Sequence, residues 1–229
     1  MKNRHVARRT GKPKVGLKKS TLKKSKSSQQ RWLSRQLNDP YVRLAKSAGY
    51  RSRSAMKLEE INKSFKILQK GIQVIEFGAA PGGWTQVLKK YLGEKSKIVA
   101  VDLNDFVPLK NVNFIKADIF DPNLTLLLNN IIGKKVDGVL SDMAQPSTGN
   151  RSTDQLRSDS IVEATIDVTK EILKFNGFFC CKLIRGGGAD TIFKNLKSQF
   201  KSASYFKPNA SRSESKEVYV ICQGYLKNN

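Results

Sequence analysis
The stretch Val74-Ile-Glu-Phe-Gly-Ala-Ala-Pro-Gly-Gly-Trp84 reads as a short apolar strand, a Gly/Pro-rich turn and the start of a helix. Gly78, Gly82 and Gly83 let the backbone turn sharply and let a ligand approach the main chain, because no Cβ stands in the way. A helix opening near Trp84 points its unpaired N–H groups at whatever occupies the turn. Strand, glycine turn and helix in that order build a nucleotide-cofactor crevice at the edge of a parallel sheet. The spacing is neither G-x-G-x-x-G nor G-x-x-x-x-G-K-[ST], so neither the dinucleotide fingerprint nor the P-loop is matched. A purely structural turn would account for one or two glycines, but not for Glu76 closing the strand and Trp84 opening the helix.

Downstream of this stretch, strands and helices alternate. Thr85–Leu92 predicts a helix with Val87, Leu88 and Tyr91 inward. Ile98–Asp102 is a second buried strand, and its terminal acid, 19 residues after Gly83, is placed for a ribose hydroxyl pair. Asn113–Asp118 is a third, with Asp118 in position for an adenine edge. Asp121-Pro122 predicts a helix cap with proline in the first turn, followed by an apolar face of Leu124, Leu127, Leu128 and Ile131. Val136–Asp142 is the fourth strand, and the polar segment Gly149–Arg157 reads as a flexible loop offering Arg151 and Arg157 to phosphates. Ile161, Ala164, Val168 and Ile172 mark a long amphipathic helix, expected to stop at Asn176-Gly177. Gly177–Ile184 is a fifth strand, Gly186–Gly188 a hinge-like loop, and Ile192, Phe193, Leu196 and Phe200 a further helix. Ser202–Pro208 and Glu217–Tyr225 complete seven strands. The expected fold is α/β: a Rossmann-like, doubly wound and mostly parallel seven-stranded sheet, with no internal repeat.

Upstream, Ala55, Leu58, Ile61 and Phe65 fall on one helical face, and Lys57 lies off the centre of that stripe. Residues 31–47 mix aromatics with arginine and suit a short helix and turn over RNA. Residues 1–30 are rich in Lys, Arg, Ser and Gly and cannot build a core, so they are expected to be a disordered RNA-binding tail on a domain spanning 31–229. The net charge is +23. Residues 1–38 carry 13 Lys/Arg and no acid, while the other 29 basic residues face 19 acidic ones. The body is therefore basic in its own right, as an anionic partner such as nucleic acid requires.

The single histidine, His5, lies in the tail, which excludes a histidine-based metal site or triad. Cys180, Cys181 and Cys222 fit no metal-ligand spacing and read as buried reduced thiols of a cytosolic protein. No apolar run is long enough to span a membrane, and no hydrophobic signal segment opens the chain. The expected location is cytoplasmic. The Arg- and Ser-rich, acid-poor tail also fits a transit peptide to the mitochondrial matrix, although it lacks the apolar face of a targeting helix.

The candidate chemistry gathers at the strand ends, where such sheets bind ligands. Asp142 ends the fourth strand. Lys182, flanked by Phe, Cys, Leu and Ile, is partly desolvated, and loss of water favours the neutral amine that can act as a base. Lys57 is a second cation for that site, and Asp142 and Glu217 are the carboxylates able to position the two amines.

Glu76-x-Gly78-x-x-x-Gly82 near a strand end is similar to motif I of S-adenosylmethionine methyltransferases, and Gly78-Ala-Ala-Pro-Gly-Gly-Trp84 resembles the FtsJ/RrmJ family of RNA 2′-O-methyltransferases. Tyr50-Arg-Ser-Arg-Ser-Ala-Met-Lys57-Leu, Ser141-Asp142-Met-Ala, Lys182, and Lys216-Glu217-Val-Tyr match that family's Lys-Asp-Lys-Glu tetrad one by one over roughly residues 30–226. Gln145 and the Gly186–Gly188 run depart from the pattern in the substrate loops. The resemblance implies Lys182 as base with Lys57, Asp142 and Glu217. It implies S-adenosylmethionine, released as S-adenosylhomocysteine, bound by Glu76, Gly78, Pro81, Gly82, Gly83, Trp84, Asp102, Asp118 and Asp142, with no metal. The implied substrate is a uridine ribose in the A-loop of large-subunit ribosomal RNA, methylated on the assembled subunit; a monomer is the default expectation. A tRNA or mRNA-cap 2′-O-methyltransferase and a silent ribosome-assembly factor are the alternatives. The glycine pattern and excess charge disfavour an NAD(P) oxidoreductase.

Overall fold
The computed structural model describes residues 38–226, apart from 108 and 134. The tail of residues 1–30 and residues 31–37 lie outside the described residues.

Seven strands form one sheet: β1 (Gln73–Phe77), β2 (Lys97–Asp102), β3 (Val112–Lys116), β4 (Val136–Ser141), β5 (Leu173–Ile184), β6 (Phe200–Phe206) and β7 (Glu217–Tyr225). Their order across the sheet is β3-β2-β1-β4-β5-β7-β6. The first five run parallel, and β7 lies antiparallel between β5 and β6. The chain leaves β1 toward β2 and β3, then returns to lay β4 on β1's other side. That reversal opens a crevice beyond the ends of β1 and β4. Because β7 is antiparallel, its beginning meets the end of β5: Ile184 pairs with Glu217 and Lys182 with Tyr219.

Helices cover both faces. α1 (Pro40–Ser47) packs beside α2 (Ser54–Phe65), which with α3 (Gly83–Leu92) covers one face, and α4 (Leu124–Ile132), α5 (Arg151–Ile172) and α6 (Ala189–Gln199) cover the other. Ala55, Leu58 and Ile61 of α2 pack with Val87 and Leu88 of α3 over Cys180 and Ile221. Leu128, Val162, Ile166, Ile192 and Leu196 pack against the opposite face with Cys181 and Cys222. The neighbours Cys180 and Cys181 thus enter different layers, as strand alternation requires.

Several boundaries differ from expectation. Pro122 precedes α4 instead of opening it: Asp121 accepts the Asn123 N–H in a local turn, and the helix starts at Leu124. The sheet-facing residues of α4 are Leu124, Leu128 and Ile132, at four-residue spacing, so Leu127 turns to solvent. The segment expected as a flexible loop supplies the first two turns of α5. Asn150 caps it by accepting from Ser152 N and Thr153 N, and leaves Arg151 and Arg157 exposed on the helix. That helix ends at Ile172, not Asn176-Gly177, because Leu173 is already extended and pairs with Val136 of β4. Phe200 begins β6 instead of closing α6, where it packs beside Phe179 and Tyr225. The Gly186–Gly188 loop is anchored, not hinge-like. Asp159 of α5 accepts from Gly188 N at 2.9 Å, and Gln155 donates to Ile184 O at 3.1 Å.

Candidate active site
The turn after β1 is built around close backbone approach. Gly78 has φ +76°, and a Cβ there would lie 2.8 Å from the Met143 backbone nitrogen, in the segment leaving β4. Any side chain at 78 would wedge the crevice apart. Asp142 N donates to Phe77 O at 3.1 Å and Gly78 N to Val101 O at 2.9 Å, which ties together the ends of β1, β2 and β4.

A cavity of 550 Å³ opens there, with Gly78, Asp102, Asp118, Asp142, Met143 and Gln145 in its lining. Asp102 is held in place by two backbone donors, Ala80 N at 2.9 Å and Asn104 N at 2.7 Å. Oδ1 also accepts from Asn104 Nδ2 at 3.3 Å, so Oδ2 is the oxygen that keeps a second lone pair for a ligand hydroxyl. Asp118 is exposed two residues beyond β3, where it accepts the Phe120 N–H.

The other residues of the glycine turn are placed differently. A Cβ at Gly82 would meet Arg51 Nη1 at 2.8 Å, and one at Gly83 would strike Ser52 Oγ. Trp84 is buried: its indole donates to Ser54 O at 2.8 Å and its ring tilts against Tyr219. Here the protein's own segment 51–54 comes close to the turn. Arg51 fastens it, donating to Pro81 O and Val107 O on the two loops flanking the cavity. Pro81 itself is exposed.

Glu76 lies beneath the turn and is fully buried. Thr85 donates to its Oε2 at 2.7 Å, while Oε1 has no partner among the described residues. Burial, reinforced by the charges of Asp142 and Asp102 against the Thr85 hydrogen bond, pushes its carboxyl up to about 8.

The four remaining candidates form one network. Lys182 Nζ donates to the Asp142 backbone carbonyl at 2.6 Å and lies 3.1 Å from Asp142 Oδ1. Tyr219 Oη donates to the same Oδ1 at 2.6 Å. Lys57 Nζ sits 3.3 Å from Tyr219 Oη and 2.5 Å from Glu217 Oε1. Ser211 completes the chain by donating to Glu217 Oε1 at 2.8 Å. Only 9% of the Lys182 side chain and 12% of the Lys57 side chain are exposed. Burial alone would push the Asp142 carboxyl up, but the Lys182 and Lys57 charges and the Tyr219 hydroxyl overcome it and hold it below 3.8. Tyr219 goes the other way: burial, with Asp142 and Glu217 nearby, keeps its phenol protonated.

Four elements supply this network: Lys57 from α2, Asp142 from the end of β4, Lys182 from β5, and Glu217 with Tyr219 from β7. Tyr219 and Ser211 are the members that sequence reasoning passed over. Tyr219 had a signal, since two residues after Glu217 on a strand it shares that side chain's face. Ser211 had none. It reaches Glu217 because the β6–β7 loop is pinned to α2: Glu60 accepts from Asn209 N and Ala210 N, and Arg53 donates to Ala210 O.

The family described as FtsJ-like methyltransferase matches residues 50–225. The chain belongs to that family. Its tetrad and cavity therefore lie within an FtsJ-like methyltransferase domain. The chain is similar to the ribosomal RNA large subunit methyltransferase E of Bartonella quintana, with 44% identity over 199 residues, covering 86% of this chain and 83% of that protein. The protein of the same name from Xanthobacter autotrophicus is 41% identical over 219 residues, covering 94% of this chain and 85% of that one. Among solved structures, one described as a ribosomal RNA methyltransferase from Plasmodium falciparum superposes with a TM-score of 0.70 at 29% identity, covering 78% of this chain and all of that one.

Proposed function
We propose that this FtsJ-like methyltransferase transfers a methyl group from S-adenosylmethionine to a ribose 2′-hydroxyl of large-subunit ribosomal RNA, at an A-loop uridine of the assembled subunit. The continuous Glu217–Lys57–Tyr219–Asp142–Lys182 network, ending at the cavity that Asp142 lines, carries the reading. The names of the relatives support large-subunit RNA as the substrate class, and the net charge of +23 suits a large folded RNA. The nucleotide follows from the family resemblance.

The cavity fits the methyl donor. Its 550 Å³ lies within the roughly 300–1,000 Å³ of small-molecule sites, and it offers a firmly held carboxylate at the end of β2 for a ribose diol. Asp102 would hold the ribose, Asp118 the adenine edge, and the segment from Asp142 to Gln145 the amino-acid end. When bound, S-adenosylmethionine supplies an electrophilic methyl on a sulfonium, itself the leaving group.

The remaining work is proton handling and placement. A 2′-hydroxyl is a weak nucleophile until its proton leaves, and Lys182 is the group set to take that proton. A neutral amine has two N–H bonds and one lone pair. The Asp142 carbonyl and carboxylate occupy the two N–H directions, so the lone pair faces the remaining one. Lys57, held by Glu217 and Tyr219, keeps a second positive charge beside the site. That charge stabilises the oxyanion developing on the ribose. With nucleophile and methyl held in one crevice, orientation supplies much of the rate.

The test is transfer of radiolabelled methyl to undermethylated large ribosomal subunits, beside free large-subunit RNA, tRNA and capped RNA. Label confined to the intact subunit is expected. Label confined to tRNA or capped RNA would overturn the substrate, and tight subunit binding without label would favour a silent assembly factor.

A further inference from the structure
We infer that the groove between the end of β5 and the β6–β7 loop binds a phosphodiester of the RNA strand adjoining the methylated ribose, with Arg185 as its principal ligand and Lys216 beside it. This rests on the proposed function and adds to it where the rest of the substrate runs. The groove is a 560 Å³ recess lined by Arg185, Gly186, Tyr205, Lys207, Lys216 and Val218. It adjoins the network through the sheet register. Lys182 pairs with Tyr219 and Ile184 with Glu217, and one step further Arg185 N donates to Lys216 O at 3.0 Å. Arg185 is three residues past Lys182, about 10 Å along an extended chain. This edge is therefore within reach of an RNA strand presenting one ribose to Lys182.

The chemistry of the recess suits a phosphate. The three basic side chains in its lining face no acidic one. Asp190, whose charge acts on Tyr205, lies outside that lining on the first turn of α6. The Arg185 guanidinium lies over the Tyr205 ring, 4.9 Å from its centroid. Phe193 stacks on Tyr205 at 4.1 Å, and the Tyr205 hydroxyl donates to Ala189 O. The ring is thus fixed by its neighbours and cannot stack on a base, but it holds the planar guanidinium in one orientation. A fixed fork of N–H donors matches two phosphate oxygens and loses little rotamer freedom on binding. Lys207 acts differently. Its ammonium donates to Ser213 O and Ser215 O and holds the loop wall, so it is a positioning residue. Lys216 is exposed and free to add a second charge from that wall. Alternation along β5 places Arg185 on the face opposite Lys182, so the bound strand crosses the sheet edge between ribose and phosphate.

The test compares wild-type protein with Arg185→Ala, Arg185→Lys and Lys216→Glu. Binding of a labelled A-loop RNA is measured across a salt series, with methyl transfer to large subunits in parallel. Expected for Arg185→Ala are KM for RNA raised about tenfold or more, kcat within about twofold, and a salt slope lower by about one counterion. Arg185→Lys should restore the salt slope but only part of the affinity, since an ammonium is not a fork. Lys216→Glu, on an exposed side chain, should raise KM without lowering thermal stability, which covers the case of an Arg185→Ala that folds poorly. Unchanged KM and salt slope in both Arg185→Ala and Lys216→Glu, with wild type active on the subunit, would overturn this site alone. Wild type inactive on the subunit would remove the reading on which it rests.

Discussion

Two groups of carboxylates share one end of the sheet and are treated in opposite ways. Asp142 and Glu217 are matched with cations: Lys182 and Lys57 lie within 3.1 Å and 2.5 Å of them, and Tyr219 links the pairs. Asp102 and Asp118 have backbone donors, and neither takes part in an ion pair among the described residues. Glu76 is buried without a cation partner among the described residues, and burial raises its carboxyl to about 8. Paired charges make a rigid, electrically balanced frame for moving a proton. The backbone-held acids, which line the cavity, instead leave acceptor capacity for the hydroxyls and amines of a cofactor. The same residue type thus does two jobs, and the neighbour decides which.

The largest expected effect falls on the paired side. Lys182→Met should lower kcat for methyl transfer by roughly 10²–10⁴-fold, the usual worth of a general base, with S-adenosylmethionine affinity from calorimetry little changed. A loss under tenfold would show that Lys182 only binds.

Next comes stability. Asp142→Ala strands the Lys182 ammonium, 9% exposed, without its partner. Denaturant unfolding should show a loss of about 3–5 kcal/mol. Asp102→Ala, on the backbone-held side, should cost less than half of that. Equal losses would erase the distinction between the two groups.

The third prediction uses pH. The Glu76 carboxyl is raised from 4.5 to about 8 in the folded chain, so between those values the native state holds a proton that the unfolded chain has released. Its contribution to stability is full below pH 4.5, falls through the window, and is gone above pH 8. Glu76→Gln, which mimics the protonated acid, should flatten that decline and make the variant the more stable form at pH 8. Asp142 has the opposite sign, because its carboxyl is held below 3.8 in the folded chain. Its contribution is present above that value and disappears as pH falls further. A Glu76→Gln variant with the wild-type pH profile would show that Glu76 is charged in the fold.

The smallest effect separates backbone strain from close approach. Gly78 and Gly133 both have positive φ, +76° and +68°, but a Cβ at 133 meets nothing within 4 Å while one at 78 meets the Met143 backbone. Gly133→Ala should cost about 1 kcal/mol for the left-handed conformation alone. Gly78→Ala should cost clearly more and weaken S-adenosylmethionine binding. Equal costs would mean that the crevice yields freely.

How much of this could be read from the chain depends on how local its cause is. The β1 turn was legible because three glycines, a glutamate and a tryptophan stand at fixed offsets within eleven residues. The four residues were legible because Lys57, Asp142 and Glu217 each sit in a short motif and Lys182 stands inside an apolar run. What stayed hidden depends on contacts between distant segments. Arg51 and Arg53 look alike in sequence, yet one fastens the loops flanking the cavity and the other the β6–β7 loop. Ser211 is one serine in a Ser-rich loop until Glu60 and Arg53 carry it to Glu217. The end of α5 was misplaced because Asn176-Gly177 is a strong local stop signal. Pairing of Leu173 with Val136 ends the helix earlier, and no local pattern reports that partner.

The most direct test of the paired network as a methylation centre is the chemical identity of its product. Large-subunit RNA labelled by the wild-type protein would be digested to nucleosides and compared with RNA treated with Lys182→Met. The account predicts a single 2′-O-methylated nucleoside, stable to alkali in the undigested chain and absent with the variant. Label on a base, or a 2′-O-methyl product made equally well by Lys182→Met, would contradict it.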